Sequence, residues 1–363
     1  MKATCATALT GAKVNWCTVA APSSKARKLT ILPTRLKAKS YAFMTIGLDV
    51  MGGDYAPAEA IAGARIFLEN HPDQSVRLLL IGVPSAVEPL LSQLADFKDR
   101  WSFVPASQVV EMHEHPTKVL KEKPDSSIAV GFGMLAHKKA DAFISAGNTG
   151  AMLVGAMYSV KAVPGVLRPT IASPIPRMDG KFNLMMDVGI NADCKPEYLA
   201  QFATLGALFV QRVYGVENPR VALLNIGEEE GKGNLLAQAA YPLLKEGAGY
   251  NFIGNIEGRD VLQNKADVIV CEGFVGNVML KFAESIYQIF HEQQGLRDPF
   301  LDQFNYEVYG GTPILGVNAP VVVGHGISSA RAFAKMIEET ARITSSGLVS
   351  AIQSEFKVGA PSE

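Results

Sequence analysis

Short apolar runs that end in glycine-rich polar loops and then give way to amphipathic stretches recur along this 363-residue chain. The clearest is VALLNIGEEEGKGN at 221–234. Its first half, 221–226, has the length and composition of a buried strand. The loop behind it holds three glutamates, three glycines and one lysine, Lys232, and a helical pattern starts at Leu235. The same spacing predicts strands at 45–50, 76–81, 101–104, 141–145, 170–175, 183–188, 250–253, 267–271 and 320–323. Helices are expected over 58–70, 87–97, 126–139, 196–214, 235–246 and 277–291, with one beginning after Gly150 and one running from 329 towards 356. Alternation of this kind points to an α/β fold, a mostly parallel sheet covered by helices on both faces.

Six polar loops follow apolar runs: Gly52-Gly53-Asp54, the stretch 145–150 with Asn148 and Thr149, 187–191, 227–234, 272–277, and 324–329 with His325 and Ser328. Parallel strands are expected to bring such loops to one edge of the sheet, where open α/β folds bind their ligands. Glycines let backbone approach a ligand, and helix starts offer unpaired N–H groups, so a small anion is the ligand class that fits. Any one loop taken alone is better read as ordinary turn chemistry, and it is the six together that point to a site. The 227–233 loop resembles a nucleotide P-loop but is one residue short. Gly233 also stands where that motif needs a hydroxyl, and three carboxylates would repel a triphosphate.

Charge narrows the partners. The net charge of −1 conceals a first 43 residues with eight bases and no acid, leaving 26 bases against 35 acids in the body. An acidic body argues against nucleic acid as the main partner. The basic, Ser/Thr-containing leader has the composition of an organelle transit peptide. The alternative is that translation starts at Met44 and residues 1–43 are a mis-assigned start. In either case 1–43 is expected to be disordered and residues 44–363 to form the working domain. Cys5, Cys17, Cys194 and Cys271 show no metal spacing and are expected to be reduced thiols. No apolar run approaches the roughly 18 residues of a membrane span.

Other motifs are expected to be structural. Gly131-Phe132-Gly133-Met-Leu-Ala136 matches a dinucleotide fingerprint as a string but sits in a helical pattern without a preceding strand. His113 and His115 lack a third ligand and precede Pro116. Ser328 is expected to cap a helix. No metal site and no cofactor is expected.

The segments LDVMGGDYAP, SAGNTGAM, RPTIASPIPR, MMDVGINADCKPE, RVALLNIGEEEGKGN, NFIGNIEGRD, CEGFVGNVMLK, YGG and GHGISSARA, in this order from about residue 45 to 356, resemble the PlsX-type phosphate acyltransferases of phospholipid synthesis. The resemblance implies conversion of acyl-acyl carrier protein and inorganic phosphate to acyl phosphate and free carrier protein. It also implies a three-layer α/β/α fold like that of the isocitrate and isopropylmalate dehydrogenases, and a homodimer. Principal catalytic roles fall on Lys232 and Asn277, Lys232 neutralising charge and Asn277 donating from a helix start. Weaker phosphate or acyl contacts are Asn148, Thr149, His325 and Ser328, over a floor shaped by Gly52, Gly53 and Asp54. The runner-up readings are a phosphotransacetylase using acyl-coenzyme A and a non-catalytic scaffold that brings carrier protein to the membrane.

The implied setting is the cytoplasm, with peripheral membrane contact and hand-off to a membrane glycerol-3-phosphate acyltransferase, or a plastid if 1–43 is a transit peptide. Two departures from relatives weaken parts of this. The interval 282–309 is short and carries Glu284, Glu292, Asp298, Asp302 and Glu307, leaving membrane contact to Phe290, Leu296, Phe300, Leu301 and Phe304. The basic cluster before Ser126-Ser127 is thinned to Lys121 and Lys123, which weakens steering of an acidic carrier protein.

Overall fold

The computed structural model describes residues 44–72 and 75–357, so the expected disorder of 1–43 lies outside the described residues. The chain runs β1 (Met44–Asp49), α1 (Ala58–Asn70), β2 (Val76–Gly82), α2 (Pro84–Val87), β3 (Trp101–Pro105), α3 (Pro116–Glu122), α4 (Ser127–Ala136), β4 (Ala142–Ser145) and α5 (Thr149–Gly155). It continues through β5 (Thr170–Pro176), β6 (Phe182–Met186), α6 (Pro196–Tyr214), β7 (Arg220–Leu224), α7 (Leu235–Glu246), β8 (Asn251–Ile256) and β9 (Val268–Val270). The last elements are α8 (Gly273–Tyr287), β10 (Gly311–Leu315), β11 (Val321–Gly324), α9 (Ala330–Ser345) and α10 (Leu348–Lys357).

Eleven strands form one sheet in the order β3-β2-β1-β4-β11-β10-β5-β6-β9-β7-β8. Because strand side chains alternate between faces, neighbouring residues feed two separate cores. Ala142, Ile144, Leu184, Met186 and Val322 join the core under α1, α6, α7, α9 and α10. Phe143, Met185, Val321 and Val323 join the other, with residues of α4 and α5. The result is a helix–sheet–helix sandwich, as the alternation required.

The sheet is mostly parallel, but not in one direction. The pairings β11/β10, β10/β5 and β5/β6 are antiparallel, and all others are parallel. Three reversals turn β6, β9, β7 and β8 against β3, β2, β1, β4 and β11. The expectation that all six polar loops share one edge is therefore wrong. Those after β1, β4 and β11 lie at one edge and those after β6, β7 and β9 at the opposite one.

Helix ends follow local chemistry. Pro196 opens α6, and Gly215, left-handed at φ 72°, closes it while its N–H donates to Gln211 O. The helix expected to begin at Asn277 begins at Gly273, because Glu272 caps it, accepting from Val275 N at 3.2 Å. The single last helix is two, interrupted near Gly347 at φ 71°. Gly131 and Gly133 lie inside α4, and a side chain at 131 would fall within the ring of Phe143.

Candidate active site

The three loops at the first edge are latched to one another. Asp49, at the end of β1, is buried and accepts from Ser145 Oγ at 2.7 Å and Met51 N at 2.9 Å; Gly147 N donates to the same Ser145 oxygen at 2.9 Å. Burial pushes the Asp49 carboxyl up, against the pull of the Ser145 hydrogen bond. A Cβ at Gly52 would stand 2.6 Å from Gly147 N, so only glycine lets these loops touch. Asp54 N donates to Gly326 O at 2.7 Å. Gly52, Gly53 and Asp54 thus clamp one loop to its neighbours.

Asn148 is spent in the same way. Its Nδ2 faces the carbonyls of Glu111, Met112 and Glu114 at 3.1, 3.2 and 3.1 Å, and its Oδ1 accepts from Ala151 N to cap α5. Ser328 is buried, its Oγ donating to His325 O at 2.6 Å. It is not the cap expected of it: Ser329 caps α9, accepting from Ala332 N at 3.3 Å. Ser328 instead braces the turn that presents His325.

Between α8 and the sheet centre lies a cavity of about 350 Å³. Ile171, Ile175, Val188, Leu280, Phe304 and Val323 give it apolar walls, and Thr149, Ser173, Asn277, Lys281, Thr312 and His325 set polar groups among them. Of the residues chosen from sequence, Thr149, Asn277 and His325 line this space; Lys232 and the Gly52–Asp54 loop do not. Phe304, expected at a membrane surface, is 6% exposed and walls the cavity instead.

Asn277 occupies the second turn of α8 and donates to Val188 O at 3.2 Å. The carbonyl is fixed by Asp187, whose carboxylate accepts from Gly189 N, Ile190 N, Asn191 N and Asn191 Nδ2 at 2.6–3.1 Å. A Cβ at Gly276 would fall on Asp187 O, so glycine there lets the helix press onto this turn.

Lys281, one turn beyond Asn277, was not selected from sequence. Its Nζ stands 3.5 Å from His325 Nε2 and 2.8 Å from Glu284. The i, i+4 spacing from Asn277 was the available signal, already present in the helix expected over 277–291. Burial, with Lys281 adding to it, lowers the His325 pKa below 6.5, which keeps the imidazole neutral near pH 7.

Lys232 sits at the other edge, its side chain half exposed and 4.0 Å from Glu229. Glu228 and Glu230 pair outwards with Lys265 and Lys245. Asn225 Nδ2 donates to Lys232 O at 3.1 Å, and Asn255 Nδ2 to Glu229 O at 2.8 Å, so the loop backbone is held while the lysine side chain remains in solvent. Lys123, one of the two remaining basic residues before Ser126, is folded onto Glu114 at 2.7 Å and Val109 O at 2.8 Å.

Comparison with known proteins gives a consistent answer. Residues 44–351 match the family model described as fatty acid synthesis protein. A phosphate acyltransferase of Dictyoglomus turgidum is 41% identical over 307 residues, covering 80% of this chain and 90% of that one. The phosphate acyltransferase of Syntrophomonas wolfei is 43% identical over 293 residues, with 80% and 91% covered. That of Heliobacterium modesticaldum is 41% identical over 329 residues, with 85% and 97% covered. Among solved structures, a phosphotransacetylase from Streptococcus pyogenes superposes with a TM-score of 0.57 at 18% identity, covering 85% of this chain and 94% of that one. A branched-chain phosphotransacylase from Enterococcus faecalis gives 0.55 at 14% identity, with 83% and 99% covered. These two likenesses concern the fold.

Proposed function

The chain belongs to the fatty acid synthesis protein family, whose matched curated relatives are phosphate acyltransferases, and we propose that it transfers an acyl group from acyl-acyl carrier protein to inorganic phosphate for phospholipid synthesis. The observation that carries the reading is the cavity beneath α8, apolar enough for a fatty chain and ringed by Thr149, Asn277, Lys281 and His325.

Phosphate is the nucleophile, so no serine or cysteine need be activated. The enzyme must desolvate an anion, set it against the thioester carbonyl and stabilise the oxyanion that forms. Lys281 and neutral His325 provide a cation and a ring nitrogen 3.5 Å apart for the phosphate, and Thr149 lines the same cavity. Asn277, held by Val188 O, supplies an amide donor at the other end. Lys232 acts from the loop after β7, and its exposed pair with Glu229 is weak enough to exchange for an anion. Gly52, Gly53, Asp54, Asn148 and Ser328 hold the loops that present Thr149 and His325.

The finer parts of the reading concern partners. A homodimer is supported by Phe274, Val278 and Phe282, which form an exposed stripe at i, i+4 spacing along α8. With Lys123 paired internally, carrier protein would meet few free bases there, and its docking is expected to be weakly salt-dependent. Membrane contact and hand-off to a glycerol-3-phosphate acyltransferase would fall to Phe290 and Leu296, exposed by 43% and 50%. No described helix is long and apolar enough to cross a membrane. Kinship with the dehydrogenase-like folds, and a cytoplasmic or plastid setting, complete the reading.

The test is direct. Purified protein is mixed with phosphate and either acyl-acyl carrier protein or acyl-coenzyme A, and acyl phosphate is trapped with hydroxylamine. Hydroxamate from the carrier-protein donor is the expected result. Product from coenzyme A alone would make the enzyme a phosphotransacetylase, and product from neither would leave the scaffold reading.

A further inference from the structure

We infer that Ser173 is a substrate-contacting residue whose hydroxyl donates to the carbonyl oxygen of the bound acyl group, an inference that rests on the acyl-transfer reading above. Ser173 is 7% exposed and faces the cavity from the middle of β5, flanked on the same strand face by Ile171 and Ile175. Its Oγ opens onto the cavity instead of being shut off from solvent, and it makes no hydrogen bond to the described residues. Thr312, on the neighbouring strand β10, turns its own hydroxyl to Val323 O at 3.3 Å and does not answer it. An unanswered donor between Ile171 and Ile175 is available to a ligand atom.

The surroundings choose the atom. No charged side chain bonds to Ser173, whereas Lys281 and His325, also in the wall, stand 3.5 Å from each other. A phosphate anion placed on one hydroxyl between two isoleucines would lose its water without gaining a counter-charge. A thioester carbonyl is neutral, needs one donor, and becomes charged only during reaction. As a phosphate oxygen bonds to the acyl carbon, the carbonyl π pair moves onto the carbonyl oxygen. Collapse re-forms the carbonyl and expels the thiolate, which takes up the proton carried by hydrogen phosphate. A donor at Ser173 strengthens as charge accumulates, so its contribution falls on the chemical step.

The experiment compares Ser173→Ala, which removes one oxygen, with Ser173→Thr, which keeps the hydroxyl, both in the full chain. With acyl donor and phosphate varied separately, Ser173→Ala is expected to lower kcat about tenfold, ~1.4 kcal/mol, while the KM for phosphate and the melting temperature stay at wild-type values. Ser173→Thr keeps most of the rate. Dodecanamide, a neutral carbonyl on an apolar chain, is expected to bind the alanine variant about tenfold more weakly by calorimetry. A fall in melting temperature with kcat preserved would make Ser173 a structural residue and overturn the inference. If the wild-type protein makes no acyl phosphate from any donor, the acyl-transfer reading fails and the amide titration decides Ser173: weaker binding by the alanine variant supports it, and equal affinity or no binding overturns it.

Discussion

Lys281 Nζ lies 3.5 Å from Nε2 of His325, joining the middle of α8 to the turn after β11 in the wall of the cavity. The two elements come from opposite halves of the sheet, so this contact spans the reversal that the three central antiparallel pairings create. Its chemistry depends on the imidazole staying neutral beside an ammonium.

The first prediction follows from that neutrality. Folding lowers the His325 pKa from 6.5, so below that value the unfolded chain takes up the proton before the folded one does. Stability is therefore intact above 6.5 and declines as pH falls from 6.5 towards the folded value. His325→Gln removes the titration. Melting curves between pH 7.5 and pH 5 should drop more steeply for wild type than for the variant, and parallel curves would show that His325 does not titrate abnormally.

The second concerns the polar groups proposed to meet growing charge. Asn277→Ala and Lys232→Ala are each expected to lose about 10²–10³-fold in kcat while the fold survives, the loss typical of an oxyanion donor. Lys232→Arg is also expected to fail, because a planar fork does not replace a compact ammonium in a tight glycine loop. Lys281→Met should instead raise the KM for phosphate, roughly 10-fold or more, as expected for a lost charge-assisted hydrogen bond. Steady-state kinetics with each substrate varied decides all four. If Lys232→Ala keeps more than about a third of kcat, its exposed position is its whole story and charge stabilisation belongs to residues within the cavity.

A third prediction uses the string that imitates a dinucleotide fingerprint. Gly131 and Gly133 lie two residues apart in α4, yet a side chain at 131 meets the Phe143 ring, and at 133 it meets nothing within 4 Å. Gly131→Ala should destabilise by about 1–3 kcal/mol through overpacking. Gly133→Ala should stabilise by ~0.5–1 kcal/mol by removing a flexible residue from a helix interior. Denaturant midpoints of the two variants should move in opposite directions. Shifts in the same direction would mean that the ring of Phe143 does not set the requirement.

Much of the fold could be read from the sequence because its punctuation is local. The spans 58–70, 196–214 and 235–246 agree with the observed α1, α6 and α7, where Pro196, Gly215 and the Asn234 cap mark ends within a few atoms. β10 was missed, since Gly310, Gly311 and Pro313 read as a loop. Those glycines answer to distant parts of the chain: a Cβ at Gly311 would stand 2.8 Å from Val323 O, and Gly310 packs on the backbone of α9. Without β10 the reversal of the sheet is invisible, and with it the fact that the cavity lies on a sheet face rather than at an edge. Ser173 and Lys281 were hidden for the same reason, since a strand serine or a helix lysine shows its direction only once register is known. Asn277 and His325, singled out in glycine-rich stretches of the sequence, both line the cavity.

The last prediction concerns the thiols. Cys194 is half-buried, and burial, helped by the carboxylates of Asp187 and Glu272, pushes its pKa up to about 12. Cys271 is buried at the end of β9, its Sγ 3.6 Å from Asp187 O, and burial raises it well above the ordinary thiol value with the same carboxylates adding to the effect. Only the thiolate reacts, so at pH 8 a thiol with a pKa near 12 exposes about 10⁻⁴ of its population as nucleophile. Iodoacetamide applied to the folded protein should leave both residues unmodified in peptide mass spectra, with acyl-transfer activity retained. In denaturant both should alkylate. Rapid modification of Cys194 in the folded protein would show that the Asp187 turn opens, and because Asn277 is held through Val188 in that turn, activity would then be expected to fall with the same time course.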